Sequence, residues 1–315
     1  MIPRPEVRWS FSGSTESGKS EPATGTFGSD LLFYLKSSRP GFWLTAAWFY
    51  MLPLAQQNVF RSSAFWIGLF YVTFPLGILI YGWNDIMDAE TDRHNSRKGT
   101  FLFGARGTAQ QLRQLPIAIF LVHLPFLIGF ALWRGPRMCI WYGALILATA
   151  LYNLPRVGFK NFPFVDMLNQ IGYVLVFYLS SNLNGVAQLP WMTFLFGAFF
   201  AMHSHLLGQI MDVVPDRLAG RLTTANVIGV VRAKYLLSTM LLLESALVFF
   251  AFKDFVVGSF LAVGALWFVL DVTKLFRDQS YPIWLTRLFL LGWNIMAIGS
   301  AWWVWSTGAL SRLAW

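Results

Sequence analysis

The sequence predicts an all-α polytopic membrane protein with nine transmembrane helices and its N-terminus in the cytoplasm. Three observations carry this. Of the 315 residues, 56% are hydrophobic and only 12% are charged, about half the charge of an ordinary soluble domain. Phe (30) and Trp (15) are abundant. Apolar runs of span length recur between polar breaks, and a backbone crossing lipid must satisfy its own hydrogen bonds, which favours helices.

The elements follow in order. Residues 1–34, rich in Ser, Gly, Thr and Pro, read as a flexible polar tail with no apolar stretch of the kind a signal peptide carries. Residues 35–315 form one intramembrane domain. Its nine spans lie near 40–59, 63–84, 115–133, 138–155, 166–183, 190–211, 233–251, 256–273 and 285–306. With the N-terminus inside, 19 of the 24 Lys and Arg residues fall on the cytoplasmic side. Only Arg61, Arg134, Arg137, Lys253 and Arg312 fall outside, so the positive-inside rule sets the orientation. The net charge of +9 is therefore a topology signal rather than a nucleic-acid patch. A single cysteine, Cys139, excludes an intrachain disulfide.

Two acidic stretches break the pattern. At the cytoplasmic end of the second span the chain reads NDIMDAETD. Asn84, Asp88 and Asp92 are spaced i, i+4, i+8 and form one stripe on a continuing helix, with Asp85 beside it and Glu90 turned away. At the end of the sixth span, HLLGQIMDVVPDRLAGR sets His205, Gln209, Asp212 and Asp216 on one face, with Pro215 between the two acids. Solvated helix ends are the plain alternative. Yet helix ends entering the cytoplasm favour Lys and Arg, and five converging aspartates repel without a counter-ion. All-oxygen donors select a hard cation, and Mg²⁺ takes one or two carboxylates plus phosphate. The chain lacks the His and Cys pattern of a zinc site and the loop of an EF-hand.

The loop ALYNLPRVGFKNFPFVDMLNQ adds Tyr152, Arg156 and Lys160 on the same side, then Asp166 and Asn169. Arg97 and Lys98 follow the first acidic stretch; Arg217 and Arg221 follow the second. Acids for Mg²⁺ and bases for phosphate oxygens make a diphosphate site. No Walker A or GxGxxG loop points to a nucleotide. A diphosphate at the rim of an aromatic bundle suggests an isoprenyl diphosphate, with its head at the cytoplasmic rim and its tail between the helices.

The NDxxDxxxD stretch Asn84–Asp92, the loop Tyr152–Lys160, the DxxxD stretch Asp212–Asp216 and the segment DRLAGRLTTANVIG together resemble the UbiA-type intramembrane prenyltransferases over residues 35–310. The resemblance implies a bundle around a central cavity capped by cytoplasmic loops. It implies that Asn84, Asp85, Asp88, Asp92, Asp212 and Asp216 hold diphosphate through Mg²⁺. Lys160 would touch the diphosphate and Tyr152 would lie near the reacting carbon. The separation of Tyr152 from Lys160 is longer than is common in the family, and Arg156 is an alternative for part of that task.

Remaining polar residues divide between site and scaffold. Asp166, Asn169 and Tyr173 share a face of the fifth span and either orient an acceptor or bond within the bundle. His205 lies on the Asp212 face, as His203 does not. Glu244, deep in the seventh span, and Asn294, in the ninth, read as structural. The expected activity is prenyl transfer from an isoprenyl diphosphate to a lipophilic acceptor, catalysed at the cytoplasmic face of the cell's inner or plasma membrane. No protein partner is implied. One alternative is a membrane terpene cyclase that ionises the same donor without an external acceptor. A transporter ranks third, because all five motif aspartates sit at one rim rather than at the midplane.

Overall fold

The computed structural model describes residues 27–313 apart from Thr91, Arg93, His94, Ser96 and Arg156. Among them the chain is helical, with no strand beyond an isolated bridge between Thr100 and Gly104. Helix α1, Phe27–Ser37, begins inside the stretch expected to be flexible tail. Its reason is visible in FGSDLLFYLKS: Phe33 is 4% exposed and packs with Ile78, Ala105 and Leu115. Asp30 accepts a hydrogen bond from Gln111 Nε2 at 2.9 Å.

A short 3-10 turn leads into α2, Trp43–Met51, which tightens again over Leu52–Leu54. Helix α3, Ser63–Gly77, contains Pro75, which has no N–H to donate to the helical ladder. The helix then widens into a π turn over Ile78–Gly82 and resumes as α4, Trp83–Met87. Next come α5, Ala109–Arg134, and α6, Arg137–Asn153. A capping box at Thr108 and Gln111 starts α5.

The fifth expected span is irregular. It consists of α7, Val165–Leu168, a 3-10 stretch over Asn169–Val174, and α8, Leu175–Asn184. Then follow α9, Trp191–Met211, α10, Val213–Leu218, and α11, Thr224–Ile228. Helix α12, Val230–Leu247, continues as a π turn to Phe252. Helices α13, Phe255–Thr273, and α14, Ile283–Thr307, complete the described chain.

Each of the nine expected spans overlaps helical chain, the first running on past Leu54 into non-helical residues, and six helical segments among the described residues are long and apolar enough to cross a membrane. These cover residues 63–87, 109–134, 191–211, 230–252, 255–273 and 283–307. The other three are shorter or broken: α2 with its 3-10 turn, the 17-residue α6, and the α7–α8 segment.

Aromatic rings fill the middle of the bundle. Phe49 lies 5.1 Å from Phe177 and 5.7 Å from Phe200, and Phe200 stacks on Trp48 at 5.0 Å. Asn294 Nδ2 donates to the Gly41 carbonyl at 3.0 Å, joining α14 to the entry of α2. Glu244 finds the partner that its depth demands: His203 Nδ1 lies 2.5 Å from its Oε1, tying α12 to α9.

Candidate active site

Both acidic stretches sit where a long helix ends. Helix α4 stops at Met87, so the expected continuous stripe is interrupted. Two helical bonds nonetheless carry the chain on, from Asp88 N to the Asn84 carbonyl and from Asp92 N to the Asp88 carbonyl, both 2.8 Å. Asp85 and Asp88 are buried, while Glu90 is exposed. Helix α9 ends at Met211, and the break falls on Asp212 rather than on Pro215.

Five cations meet five carboxylates among the described residues. Lys98 Nζ lies 2.5 Å from Asp85 and 2.8 Å from Asp92, clamping two acids of one motif. Arg39 reaches Asp85 at 3.2 Å and lies over the Tyr81 ring at 4.6 Å. Lys160 and Arg221 each approach Asp88 at 2.7 Å, on opposite oxygens. Arg221 also lies 3.6 Å from Asp216. Arg97 pairs with Asp212, whose Oδ1 also accepts from Asn95 Nδ2 at 3.2 Å. Arg221 and the Asn95–Arg97 turn thus link the two motifs, and Lys160 brings in the third element.

Gly104 packs against this cluster with φ +109°. A Cβ there would stand 3.2 Å from Arg39 Nε, so glycine suits the position both by conformation and by space.

Burial and charge divide the acids. Burial opposes ionisation of Asp88, but Arg221 and Lys160 overcome it and hold its carboxyl below the usual range. Burial prevails at Asp92, whose pKa is raised despite Lys98. At Asp216, burial together with the charges of Asp212 and Asp88 outweighs Arg221 and pushes the pKa up to about 7. Burial lowers Lys160 in spite of Asp88.

Deeper, the Tyr152 hydroxyl lies 3.5 Å from His205 Nε2. Asn84 is half-buried one turn before Asp88. Other expected site residues are placed differently. Asp166 is 1% exposed and its oxygens are taken by the chain itself. Oδ1 accepts from Thr224 Oγ1 at 2.5 Å and Met167 N at 2.8 Å. Oδ2 accepts from Gln209 Nε2 at 2.7 Å and Thr224 N at 2.9 Å. These contacts favour the second of its two expected roles, a bond within the bundle, in which it fastens α11 and α9 around the second motif.

Asn169 begins the 3-10 stretch and is half-buried, so the expected α-helical face with Asp166 and Tyr173 does not form. Arg217 is exposed and forms no ion pair among the described residues. Arg156 lies outside the described residues. Sequence reasoning missed Arg39 and Asn95 as members of the cluster.

The sequence model of the UbiA prenyltransferase family matches residues 42–293. The chain belongs to the UbiA prenyltransferase family. It is therefore an enzyme of prenyl transfer. The match contains both acidic motifs and the Lys160 loop, and Arg39 lies just ahead of it. A lycopene elongase/hydratase from Corynebacterium glutamicum is 30% identical over 217 residues, covering 68% of this chain and 75% of that protein. One from Haloferax volcanii is 29% identical over 257 residues, covering 80% and 82%. The structure of a UbiA homolog from Archaeoglobus fulgidus bound to DMAPP and Mg²⁺ superposes with a TM-score of 0.63. That pair is 18% identical and covers 87% of this chain and 99% of the other. The same homolog bound to GPP and Mg²⁺ gives 0.62. At that identity the likeness is one of fold.

The donor chemistry of the UbiA-type cluster fits a hard divalent cation. Every acidic ligand offers only oxygen, and Asp85 Oδ2 is buried without a hydrogen-bond partner. The carboxylates point at their bases rather than at one common centre, so a metal would replace some of these pairings.

Proposed function

We propose that this chain is a Mg²⁺-dependent prenyltransferase that ionises an isoprenyl diphosphate and joins the prenyl group to a long unsaturated hydrocarbon. The observation that carries the reading is the Lys160–Asp88–Arg221–Asp216 chain of contacts at 2.7, 2.7 and 3.6 Å, which unites three sequence-distant elements into one charged site.

Asp85, Asp88 and Asp92, with Asn84 beside them, and Asp212 and Asp216 opposite would hold the metal. When bound, Mg²⁺ stabilises charge building on the departing diphosphate. Lys98, Lys160, Arg97, Arg221 and Arg39 exchange carboxylate partners for diphosphate oxygens, so donor binding costs them little desolvation beyond what folding has already imposed. Ionisation leaves an allylic cation below the charged rim. The Tyr152 hydroxyl and ring, beside His205, face that region and keep bulk water from it. His205 Nε2, 3.5 Å from the Tyr152 hydroxyl, is placed to take a proton as the product forms.

The acceptor class rests on the relatives, which are named lycopene elongase/hydratases. By the positive-inside distribution, the charged rim faces the cytoplasm and all nine helical stretches lie in the bilayer.

The test is product analysis with purified protein, Mg²⁺, lycopene and dimethylallyl, geranyl, farnesyl or geranylgeranyl diphosphate. A polyene carrying one or two added prenyl groups supports the proposal. A cyclic hydrocarbon formed from donor alone would make the protein a cyclase instead.

A further inference from the structure

Beneath the charged rim, two irregular helix segments face each other. Tyr81 lies on the π turn of residues 78–82 and Tyr173 on the 3-10 stretch of residues 169–174. Such departures from the α ladder re-aim side chains and often mark functional positions. Here the two hydroxyls meet at 2.8 Å and close a bar across the interior. The upper side of the bar belongs to the donor site, because Arg39 rests on the Tyr81 ring at 4.6 Å while pairing with Asp85. Its underside is filled: Phe49, 1% exposed, lies 5.9 Å from Tyr173. Phe177 and Phe200 pack behind Phe49 at 5.1 and 5.7 Å.

The depth above the bar follows from helix geometry. Tyr81 precedes Asp85 by four residues, which is about 6 Å along the axis. The extended backbone of one isoprene unit is about 4 Å long at ordinary C–C distances, and that of two is about 9 Å. This depth matches one unit once Arg39, which lies over the Tyr81 ring, turns to the diphosphate; a second unit would have to displace Tyr173 and the Phe49 ring from a close-packed core.

We infer that the Tyr81–Tyr173 bar determines donor length, admitting a single isoprene unit and excluding longer chains. The inference rests on the proposed ionisation of an isoprenyl diphosphate. It assigns to the two tyrosines a specificity role, separate from the chemistry of the rim. The hydroxyl pair holds the rings across the passage, and the rings themselves form the barrier.

The experiment is a comparison of kcat/KM for diphosphate release from dimethylallyl and geranyl diphosphates with Mg²⁺ and a polyene acceptor. The wild-type protein should favour the shorter donor by more than about 100-fold, the scale on which a filled apolar pocket rejects added bulk. Tyr173→Ala should lower that ratio at least about tenfold by opening the passage. Tyr173→Leu, which keeps apolar bulk in the core, provides a second variant if the alanine protein does not fold, and should lower the ratio in the same direction. Tyr81→Phe removes the hydroxyl bond but keeps the ring and should lower it less.

A wild-type ratio near one overturns the inference. So does a folded Tyr173→Leu protein with an unchanged ratio, because a merely structural tyrosine would reduce both donors alike. Turnover of neither donor by the wild type refutes the proposed function and this inference with it, whereas turnover with an unaltered ratio refutes the bar alone.

Discussion

Lys98 bridges two acids of the first motif. Its ammonium, 8% exposed, holds Asp85 at 2.5 Å and Asp92 at 2.8 Å. Lys98→Met keeps most of the aliphatic stem and removes the charge. Removing one partner from a buried ion pair costs about 3–5 kcal/mol, since the other charge is left uncompensated. The lower end, about 3 kcal/mol, applies here. Arg39 remains at 3.2 Å from Asp85, and Asp92 can take up a proton, its pKa being already raised by burial. Mg²⁺ should reverse most of this. A ligand at 100 times its Kd stabilises by about 2.7 kcal/mol. In the wild type, part of that is spent in displacing Lys98; in the variant none is. The stability gap between the two proteins, measured by thermal unfolding in detergent, should therefore shrink from about 3 kcal/mol in EDTA to below about 1 kcal/mol in saturating Mg²⁺. A gap that Mg²⁺ leaves unchanged would refute the assignment of Asp85 and Asp92 as metal ligands.

Three further outcomes follow from the same geometry. Asp166→Asn puts an amide where two oxygens accept four hydrogen bonds, and should lower unfolding stability by about 2 kcal/mol; an unchanged melting temperature would remove Asp166 from its role as a fastening. His203→Phe strands the fully buried Glu244 carboxyl and should destabilise by more than about 2 kcal/mol, with His203→Phe/Glu244→Leu recovering much of the loss; chemical unfolding of the three proteins checks this. Arg217→Ala should leave stability within about 0.5 kcal/mol and donor KM unaltered, whereas Arg221→Ala should raise donor KM, because only Arg221 turns inward to Asp88; equal effects in steady-state assays would contradict the placement of Arg217.

Helix positions and acidic motifs were legible in the sequence because each is a local signal. Apolar runs located the six long apolar helices, and charge against the usual Lys and Arg bias exposed NDIMDAETD and DVVPD. Lys160 was legible from its loop. Arg39 was not, since 46 residues separate it from Asp85, and ahead of a first span it reads as a topology signal. Asn95 carries no charge to draw attention. Which of its two readings Asp166 takes was hidden for a similar reason: Gln209 and Thr224, its partners, come from distant segments that only packing brings together. The periodicity argument for Asp166, Asn169 and Tyr173 assumed 3.6 residues per turn, and the chain there winds as a 3-10 helix. Tyr81 was hidden among 55 aromatic residues, and its role depends on a π turn that no spacing rule anticipates.

Ionisation of an isoprenyl diphosphate with Mg²⁺ is the task proposed for the joined acidic motifs. The most direct measurement is inorganic diphosphate release from dimethylallyl diphosphate by purified protein with a polyene acceptor, comparing Mg²⁺ with EDTA and wild type with Asp88→Asn. Release is expected in Mg²⁺ and not in EDTA, with a loss of about 100-fold or more in a folded Asp88→Asn protein, comparable to removing a main electrostatic stabiliser of a transition state. Release that persists in EDTA, or that survives in the Asp88→Asn protein at the wild-type rate, would contradict it.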